Sequence, residues 1–164
     1  MNKNSATYKL VSSGLIAALI CGFTLIKFSL AQGYFNFGDI IIFTAAFLMP
    51  DALYFTAAAG VGSALADLVS GYPLYIPVTF IIKAAVAFVA FYAVNKTNTI
   101  FSRILMLAVA ALLIPIGYFI YELILYGFGT ASVDALWNTA QGAMGAITGG
   151  ILGGILRKRI IKQA

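Results

Sequence analysis

Apolar residues fill most of the sequence in long runs, which are separated by short polar or glycine-rich breaks. The runs lack the apolar–polar alternation of membrane-barrel strands, and most are about as long as a helix that crosses a bilayer. We therefore predict an all-α integral membrane protein with a single domain over residues 1–164. The predicted spans of this six-transmembrane-helix bundle are approximately 9–28, 37–50, 52–70, 77–95, 103–126 and 134–156.

Composition supports a chain that is embedded in lipid. Apolar residues make up 62% of the 164 residues, charged residues make up 9%, and the mean hydropathy is +1.00. Soluble domains carry about 25% charged residues, so this chain has too little polar surface to face water. It has no histidine and one cysteine, Cys21, and we find no nucleotide-binding or nucleophile motif. We expect no enzyme activity, no metal site and no cofactor in this chain.

Basic residues indicate the orientation in the membrane. Six spans place both termini on one side, and eight of the ten Lys and Arg residues fall on that side. These residues are Lys3, Lys9, Lys96, Arg103, Arg157, Lys158, Arg159 and Lys162. Because Lys and Arg are enriched in cytoplasmic loops, we predict cytoplasmic termini and a multi-pass protein of the cell membrane. The net charge of +5 then reflects topology, and we expect membrane lipid rather than nucleic acid as its partner.

Most acidic residues fall on the opposite, outer side. Four of the five, Asp39, Asp67, Glu122 and Asp134, lie at the outer ends of predicted spans, and Lys83 lies in the outer half of the fourth span. A charge inside a membrane helix is costly and usually faces a partner or a wet cavity. Lys83 and Glu122 lie at similar depth, so they form either a structural ion pair or part of a polar pocket. Lys83 can also extend its ammonium group to the interface. We favour the pocket.

Tyrosine and amide side chains gather at the same depth as these charges. Asn138 and Gln141 are three residues apart and share a helix face, and Tyr72 and Tyr75 follow a Ser-Gly turn. Such walls suit a flat, polar aromatic ligand, which would stack on the rings and hydrogen-bond to the amides. The predicted ligand-binding residues are Asn36, Asp67, Tyr72, Tyr75, Lys83, Tyr118, Glu122, Asn138 and Gln141.

Glycine marks both loops and packing faces. We predict loops over residues 29–39, which include Gln32 and Gly33, and over residues 127–132. The glycines between Gly142 and Gly154 predict a close-packing face on the sixth span. On the first span, Gly14, Ala18 and Gly22 form one small-residue face, and Ser13, Ala17 and Cys21 form an adjoining one. These faces pack either within the bundle or against a partner.

The sequence resembles the substrate-binding S components of energy-coupling factor (ECF) vitamin transporters over nearly its whole length. The resemblance rests on the six short spans, the small-residue face on span one, Asn36-Phe37-Gly38-Asp39, and Asn138-xx-Gln141. It also rests on the turn from Asp67 to Tyr72, which is followed by Pro77 and Lys83. It implies an outward pocket formed by the first loop, the third loop and spans four to six.

The resemblance also implies partner proteins. These are a transmembrane coupling protein and two ATPase subunits, which would use ATP that this chain does not bind. In the family, small residues on span one contact the coupling protein, and they correspond here to Gly14, Ala17, Ala18 and Gly22.

Within the family, the chain looks most like the riboflavin and hydroxymethylpyrimidine/pyridoxine branch. One tryptophan and no histidine argue against the thiamin type, whose pocket is richer in both. Vitamin B6 or hydroxymethylpyrimidine is the favoured ligand, and riboflavin is the alternative. Two other functions stay open: a self-contained small secondary transporter or channel, and a structural membrane protein whose helices are held by ion pairs.

Overall fold

The computed structural model describes residues 5–29 and 34–163, and within them six α-helices and one β-hairpin. The residue ranges are α1 Ala6–Leu25, β1 Lys27–Ser29, β2 Tyr34–Asn36, α2 Gly38–Ala45, α3 Ala52–Val69, a 3₁₀ turn Pro73–Tyr75, α4 Ile76–Lys96, α5 Ile100–Tyr126 and α6 Phe128–Gln163. The prediction of an all-helical membrane protein is therefore confirmed, apart from the hairpin.

Four helical segments of the described chain are long and apolar enough to cross a membrane: Ala6–Leu25, Ala52–Val69, Pro73–Lys96 and Ile100–Tyr126. α2 has only 8 residues and rises about 12 Å, less than half of a hydrocarbon core of about 30 Å. α6 is long enough, but glycine, threonine and amide residues interrupt its apolar sequence. The count of six spans and the cytoplasmic termini stay predictions.

Side-chain caps and one glycine define the helix ends. Ser5, Asp51 and Thr99 accept backbone N–H groups at the starts of α1, α3 and α5, which are donors that a helix leaves unpaired. Gly127 separates α5 from α6 with a φ of 81°, a conformation that favours glycine. The predicted loop over residues 127–132 is wrong, because this single residue makes the turn and α6 begins at Phe128.

Successive helices run antiparallel, so the bundle has two distinct ends. The hairpin, the 3₁₀ turn and Gly127 lie at one end, which we call the site end. The starts of α1, α3 and α5 lie at the other end, where Lys9 pairs with Asp51 at 2.7 Å. The core between them is apolar, and its largest fully buried aliphatic and aromatic side chains are Phe43, Phe55, Ile20, Ile42 and Ile114.

Glycines let α6 approach its neighbours closely, which confirms the predicted packing face for part of the glycine run. A Cβ added to Gly145, Gly149 or Gly153 would lie 2.7, 2.6 or 2.5 Å from atoms of α2 and the turn that follows it. These three residues repeat every four positions, so they form one face. Gly154 lies off this face, and no other described side chain or distant backbone atom lies within 4 Å of its Cβ position.

The site depends on this close packing. The atom nearest to the Gly145 position is Cβ of Asp39, and the atom nearest to the Gly149 position is the backbone oxygen of Ile40. The first turn of α2 is thus pressed against the middle of α6. As a result, Asp39 is fully buried inside the bundle rather than at its surface.

Candidate ligand pocket

Helical spacing brings polar side chains to one place inside the bundle. Residues four apart on a helix share a face, and three helices each contribute such a pair. The pairs are Ser63 and Asp67 on α3, Thr79 and Lys83 on α4, and Tyr118 and Glu122 on α5, and α6 adds Asp134, Asn138 and Gln141.

These side chains surround a cavity at the site end, which we call the pocket. Its empty space, with the open mouth included, is about 520 Å³. All nine residues predicted to bind a ligand line this pocket, although their role in binding stays a prediction. The lining residues are Thr24, Tyr34, Asn36, Ser63, Asp67, Tyr72, Tyr75, Thr79, Lys83, Tyr118, Glu122, Asp134, Asn138 and Gln141.

Lys83 pairs with Asp39, and not with Glu122 as one sequence hypothesis held. Its ammonium nitrogen lies 2.8 and 2.7 Å from the two carboxylate oxygens of Asp39. Both side chains are buried, so each charge needs the other in order to be tolerated away from water. Asp39 also lies in the first turn of α2, where backbone N–H groups favour a negative charge.

Amide side chains complete this network, which we call the Lys83 centre. The amide nitrogen of Gln141 donates to Asp39 at 2.6 Å, and the amide oxygen of Gln141 accepts from the backbone and side-chain nitrogens of Asn36 at 2.8 and 3.1 Å. The Asn36 oxygen in turn accepts from the backbone N–H of Gly38 at 3.0 Å. The centre therefore joins the hairpin, α2, α4 and α6 through groups that satisfy one another.

Two other buried acids, Asp134 and Glu122, have carboxylate oxygens without a hydrogen-bond partner among the described residues. Asp134 is 3% exposed, and neither of its carboxylate oxygens has a hydrogen-bond partner among the described residues. Glu122 is 2% exposed; one of its oxygens accepts from the Tyr75 hydroxyl at 3.2 Å, while the other has no partner in the described chain. Buried polar groups are nearly always hydrogen-bonded, so these oxygens are available to a bound molecule.

Tyrosines cover the pocket on the hairpin side. The Tyr34 ring lies 5.2 Å from the Tyr72 ring, and the Tyr72 and Tyr75 ring centres are 6.1 Å apart. Lys27 lies over the Tyr34 ring at 4.5 Å and over the Tyr72 ring at 5.3 Å, which is within cation–π range. Rings and cation together form a cover over the buried acids.

A hydrogen bond between Tyr34 and Asp67 holds this cover to α3. Burial, followed by the nearby charge of Asp67, raises the pKa of the Tyr34 hydroxyl above its usual value. Tyr34 therefore stays protonated at neutral pH and acts as the donor. The second oxygen of Asp67 has no partner within the described ranges.

The hairpin replaces part of a segment that was predicted to be a loop over residues 29–39. Lys27 pairs with Asn36, and Phe28 pairs with Phe35, in an antiparallel register. Edge-to-face contacts of Phe37 with Phe28 and Phe35 support this pairing, with ring centres 6.1 Å apart in both cases. The predicted loop residues Gln32 and Gly33, like Lys3 among the basic residues, lie outside the described residues.

Sequence reasoning missed several residues of the site, above all Asp39 as the partner of Lys83. Asp134 and Tyr34 were also absent from the predicted set, although both line the pocket. The available signal was helical spacing: Asp134, Asn138 and Gln141 are four and three residues apart, so they lie on one face of α6.

The small residues of α1 divide between two environments. Gly14, Ala18 and Gly22 are exposed and recur every four residues, so they form one open face. No other described side chain or distant backbone atom lies within 4 Å of a Cβ added to Gly14 or Gly22. Ala17 instead packs against α3, where a Cβ on Gly62 would lie 2.4 Å from its backbone oxygen. Of the four predicted partner-binding residues, Ala17 thus belongs to an interface within the bundle.

Comparison with known families identifies the class of protein. The model of the family described as "ECF-type riboflavin transporter, S component" matches residues 4–158. The chain belongs to this family of S components. This agrees with the resemblance seen in the sequence. It follows that this S component is a membrane-embedded, substrate-binding subunit of a vitamin transporter, and that its family is a transporter family rather than an enzyme family.

A curated relative comes from an archaeon. This S component is 40% identical over 131 residues to an uncharacterized protein of Pyrococcus woesei, an alignment that covers 79% of this chain and 86% of the relative. The family as a whole implies association with ECF components and with a small-molecule vitamin.

Proposed function

We propose that this S component binds a small nitrogen-containing aromatic vitamin or vitamin precursor in the pocket, and that the ligand is vitamin B6 or hydroxymethylpyrimidine. The observation that carries the proposal is the chemistry of the pocket, which is lined by tyrosine rings and by buried acidic oxygens that have no partner among the described residues. Rings of this kind stack on a flat heterocycle, and the free oxygens accept hydrogen bonds from its substituents. Riboflavin is the second candidate, because the matching family is described by that vitamin.

The tyrosine cover suggests how the ligand enters. Tyr34 and Tyr72 line the pocket on the hairpin side, and a hydrogen bond to Asp67 holds Tyr34 there. In this proposal, the hairpin moves away to admit the ligand and closes over it afterwards. Closure buries the ligand and removes the competing water, which strengthens each polar contact.

Transport in this proposal requires other subunits. The pocket faces the outside of the cell membrane, the termini lie in the cytoplasm, and a coupling protein with two ATPases drives the release of the ligand. ATP binds to those subunits and not to this chain. The exposed face of Gly14, Ala18 and Gly22 is the proposed contact with the coupling protein, since small residues allow close approach of helices in a membrane.

Titration of the purified protein tests the proposed function. The detergent-purified chain is titrated with pyridoxine, pyridoxamine, hydroxymethylpyrimidine and riboflavin, and binding is measured by calorimetry. We expect saturable binding of at least one of the first three at micromolar concentration or below. A failure of all four compounds to bind would contradict the proposal.

Liposomes separate this function from the two alternatives. In vesicles that contain this chain alone, we expect binding but no net uptake of labelled ligand. Uptake without ATPase subunits would instead indicate a self-contained transporter or channel. Absence of any binding, in a protein that loses its fold when Lys83 or Glu122 is replaced by alanine, would favour a purely structural role.

A further inference from the structure

We infer that Glu122 and Asp134 form an acidic subsite that binds an amino group of the ligand. The inference rests on the proposed function of the pocket and goes beyond it, because it names the chemical group that the pocket selects. It also assigns Asp134, on α6, a role in choosing between ligands.

The positive charge of Lys83 is already neutralised within the protein. Lys83 is neutralised by Asp39 through contacts of 2.7 and 2.8 Å, and one Asp39 oxygen also accepts from Gln141 at 2.6 Å. An anionic ligand group would have to compete with that carboxylate for the ammonium. The Lys83 centre therefore offers little to an anion.

Carboxylate oxygens of Asp134 and Glu122 have no hydrogen-bond partner among the described residues. Both Asp134 oxygens and one Glu122 oxygen are buried without a partner in the described part of the chain, and both residues line the pocket. The Asp67 oxygen without a partner belongs to the carboxylate that Tyr34 already contacts. Carboxylate oxygens are acceptors only. The ligand group that satisfies them must therefore carry N–H or O–H donors, and a cationic or amino nitrogen supplies several donors at once.

Tyrosine side chains lie next to the acidic subsite at Glu122. The Tyr75 hydroxyl is a donor beside these acids, and it already bonds to the other Glu122 oxygen at 3.2 Å. Tyr75 packs edge-to-face on Tyr121 at 5.5 Å and lies 6.3 Å from Tyr118. An aromatic amine bound here would place its nitrogen at the acids and its ring beside these tyrosines, an arrangement that satisfies both parts of the ligand.

Matched ligand pairs test the subsite on the unmodified protein. Pyridoxamine differs from pyridoxine by an aminomethyl group in place of a hydroxymethyl group, and hydroxymethylpyrimidine is compared with the analogue whose ring amino group is replaced by a hydroxyl. We expect the amino member of at least one pair to bind roughly tenfold to hundredfold more tightly, as hydrogen bonds to charged groups allow. Equal affinities within both pairs would overturn the inference.

Two variants assign the preference to these residues. Asp134→Asn and Glu122→Gln keep the shape of each side chain and remove its charge, so we expect each to reduce the preference for the amino ligand to within about threefold. Asp51→Asn serves as a matched control, because Asp51 pairs with Lys9 at the other end of the bundle, and it should bind as the parent does. A preference that persists in both pocket variants would overturn the inference.

The outcomes distinguish this inference from the proposed function. If an amino ligand binds tightly and neither Asp134→Asn nor Glu122→Gln lowers its affinity, the pocket binds a vitamin but the acidic subsite is wrong. If no candidate vitamin binds, the proposed function itself is contradicted. The comparison of ligand pairs needs no variant, so it remains decisive even if a variant fails to fold.

Discussion

The Lys83 centre and the acidic subsite lie in the same pocket but differ in how far the protein satisfies them. In the Lys83 centre, each carboxylate oxygen of Asp39 meets the ammonium group, and Gln141 and Asn36 extend the network to the hairpin. In the acidic subsite, Asp134 has no hydrogen-bond partner among the described residues and Glu122 has one. The two regions are equally buried, so burial does not explain the difference.

The difference separates a structural role from a binding role. A satisfied buried ion pair holds the helices in one arrangement, and loss of one partner leaves an uncompensated charge. A buried acid that lacks a protein partner is costly in the empty protein, and a donor group on a ligand would supply that partner. We therefore expect the Lys83 centre to control stability and the acidic subsite to control affinity.

The largest expected effect is on the stability of the Lys83 centre. Asp39→Asn removes the carboxylate that contacts the buried Lys83 ammonium, and we expect a loss of about 3–5 kcal/mol in the free energy of unfolding. Thermal unfolding of the ligand-free protein in detergent measures it. Adding Lys83→Met to this variant removes the uncompensated charge and should recover part of the loss. Unchanged melting of Asp39→Asn would contradict the structural role.

The next largest effect is expected for Asp134, where a substitution should lower ligand affinity without lowering the stability of the empty protein. Asp134→Asn should weaken binding of the amino ligand about tenfold to hundredfold, while the empty protein unfolds at the same temperature or a higher one, because a buried unpaired charge is removed. Calorimetry and thermal unfolding on the same sample measure the two quantities. If Asp134→Asn destabilises the empty protein as strongly as Asp39→Asn does, the proposed difference between the two regions is wrong.

A smaller effect is expected at the tyrosine cover. Tyr34→Phe keeps the ring but removes the donor to Asp67, and a single hydrogen bond contributes about 0.5–1.5 kcal/mol. We expect the ligand to dissociate roughly twofold to tenfold faster, as measured by stopped-flow displacement. Tyr92→Phe, a tyrosine outside the pocket on α4, is the control. Slower dissociation from Tyr34→Phe would contradict a holding role.

The smallest effect concerns the Lys9–Asp51 pair at the other end. The hydrogen bond from Lys9 lowers the pKa of Asp51, so the pair stabilises the fold above the usual aspartate pKa of about 3.9, and this contribution is lost as pH falls below it. Lys9→Gln should lower stability by less than about 1 kcal/mol at pH 7. The deficit relative to the parent should shrink at acidic pH. A deficit that grows on acidification would have the wrong sign.

Much of the pocket follows from composition and helical spacing alone. Polar residues in an otherwise apolar run usually face inward, and this rule, together with shared helix faces, selected Lys83, Tyr118, Glu122 and Gln141, which the structure brings together. The orientation of each helix face needs only the period of 3.6 residues. The sequence of each helix by itself is therefore enough to predict a polar pocket inside the bundle.

The partner of Lys83 could not be read in this way. Asp39 reaches Lys83 because α2 is short and packs on the Gly145–Gly149 face of α6, which brings residues 44 apart in sequence into contact. Helical spacing gives the depth of each charge but not which helices are adjacent. Depth alone left Glu122 as a plausible partner. The lack of a partner for Asp134 among the described residues likewise depends on all the helices around it.

Mass spectrometry of the small molecule that copurifies with the protein is the direct test of the proposed ligand and of the acidic subsite. We predict that the parent retains a nitrogen-containing aromatic vitamin that carries an amino group, and that the folded Asp134→Asn variant retains much less of it. A parent that retains no such compound, even after incubation with the candidate vitamins, would contradict the account. Equal retention by Asp134→Asn would contradict the role assigned to the acidic subsite.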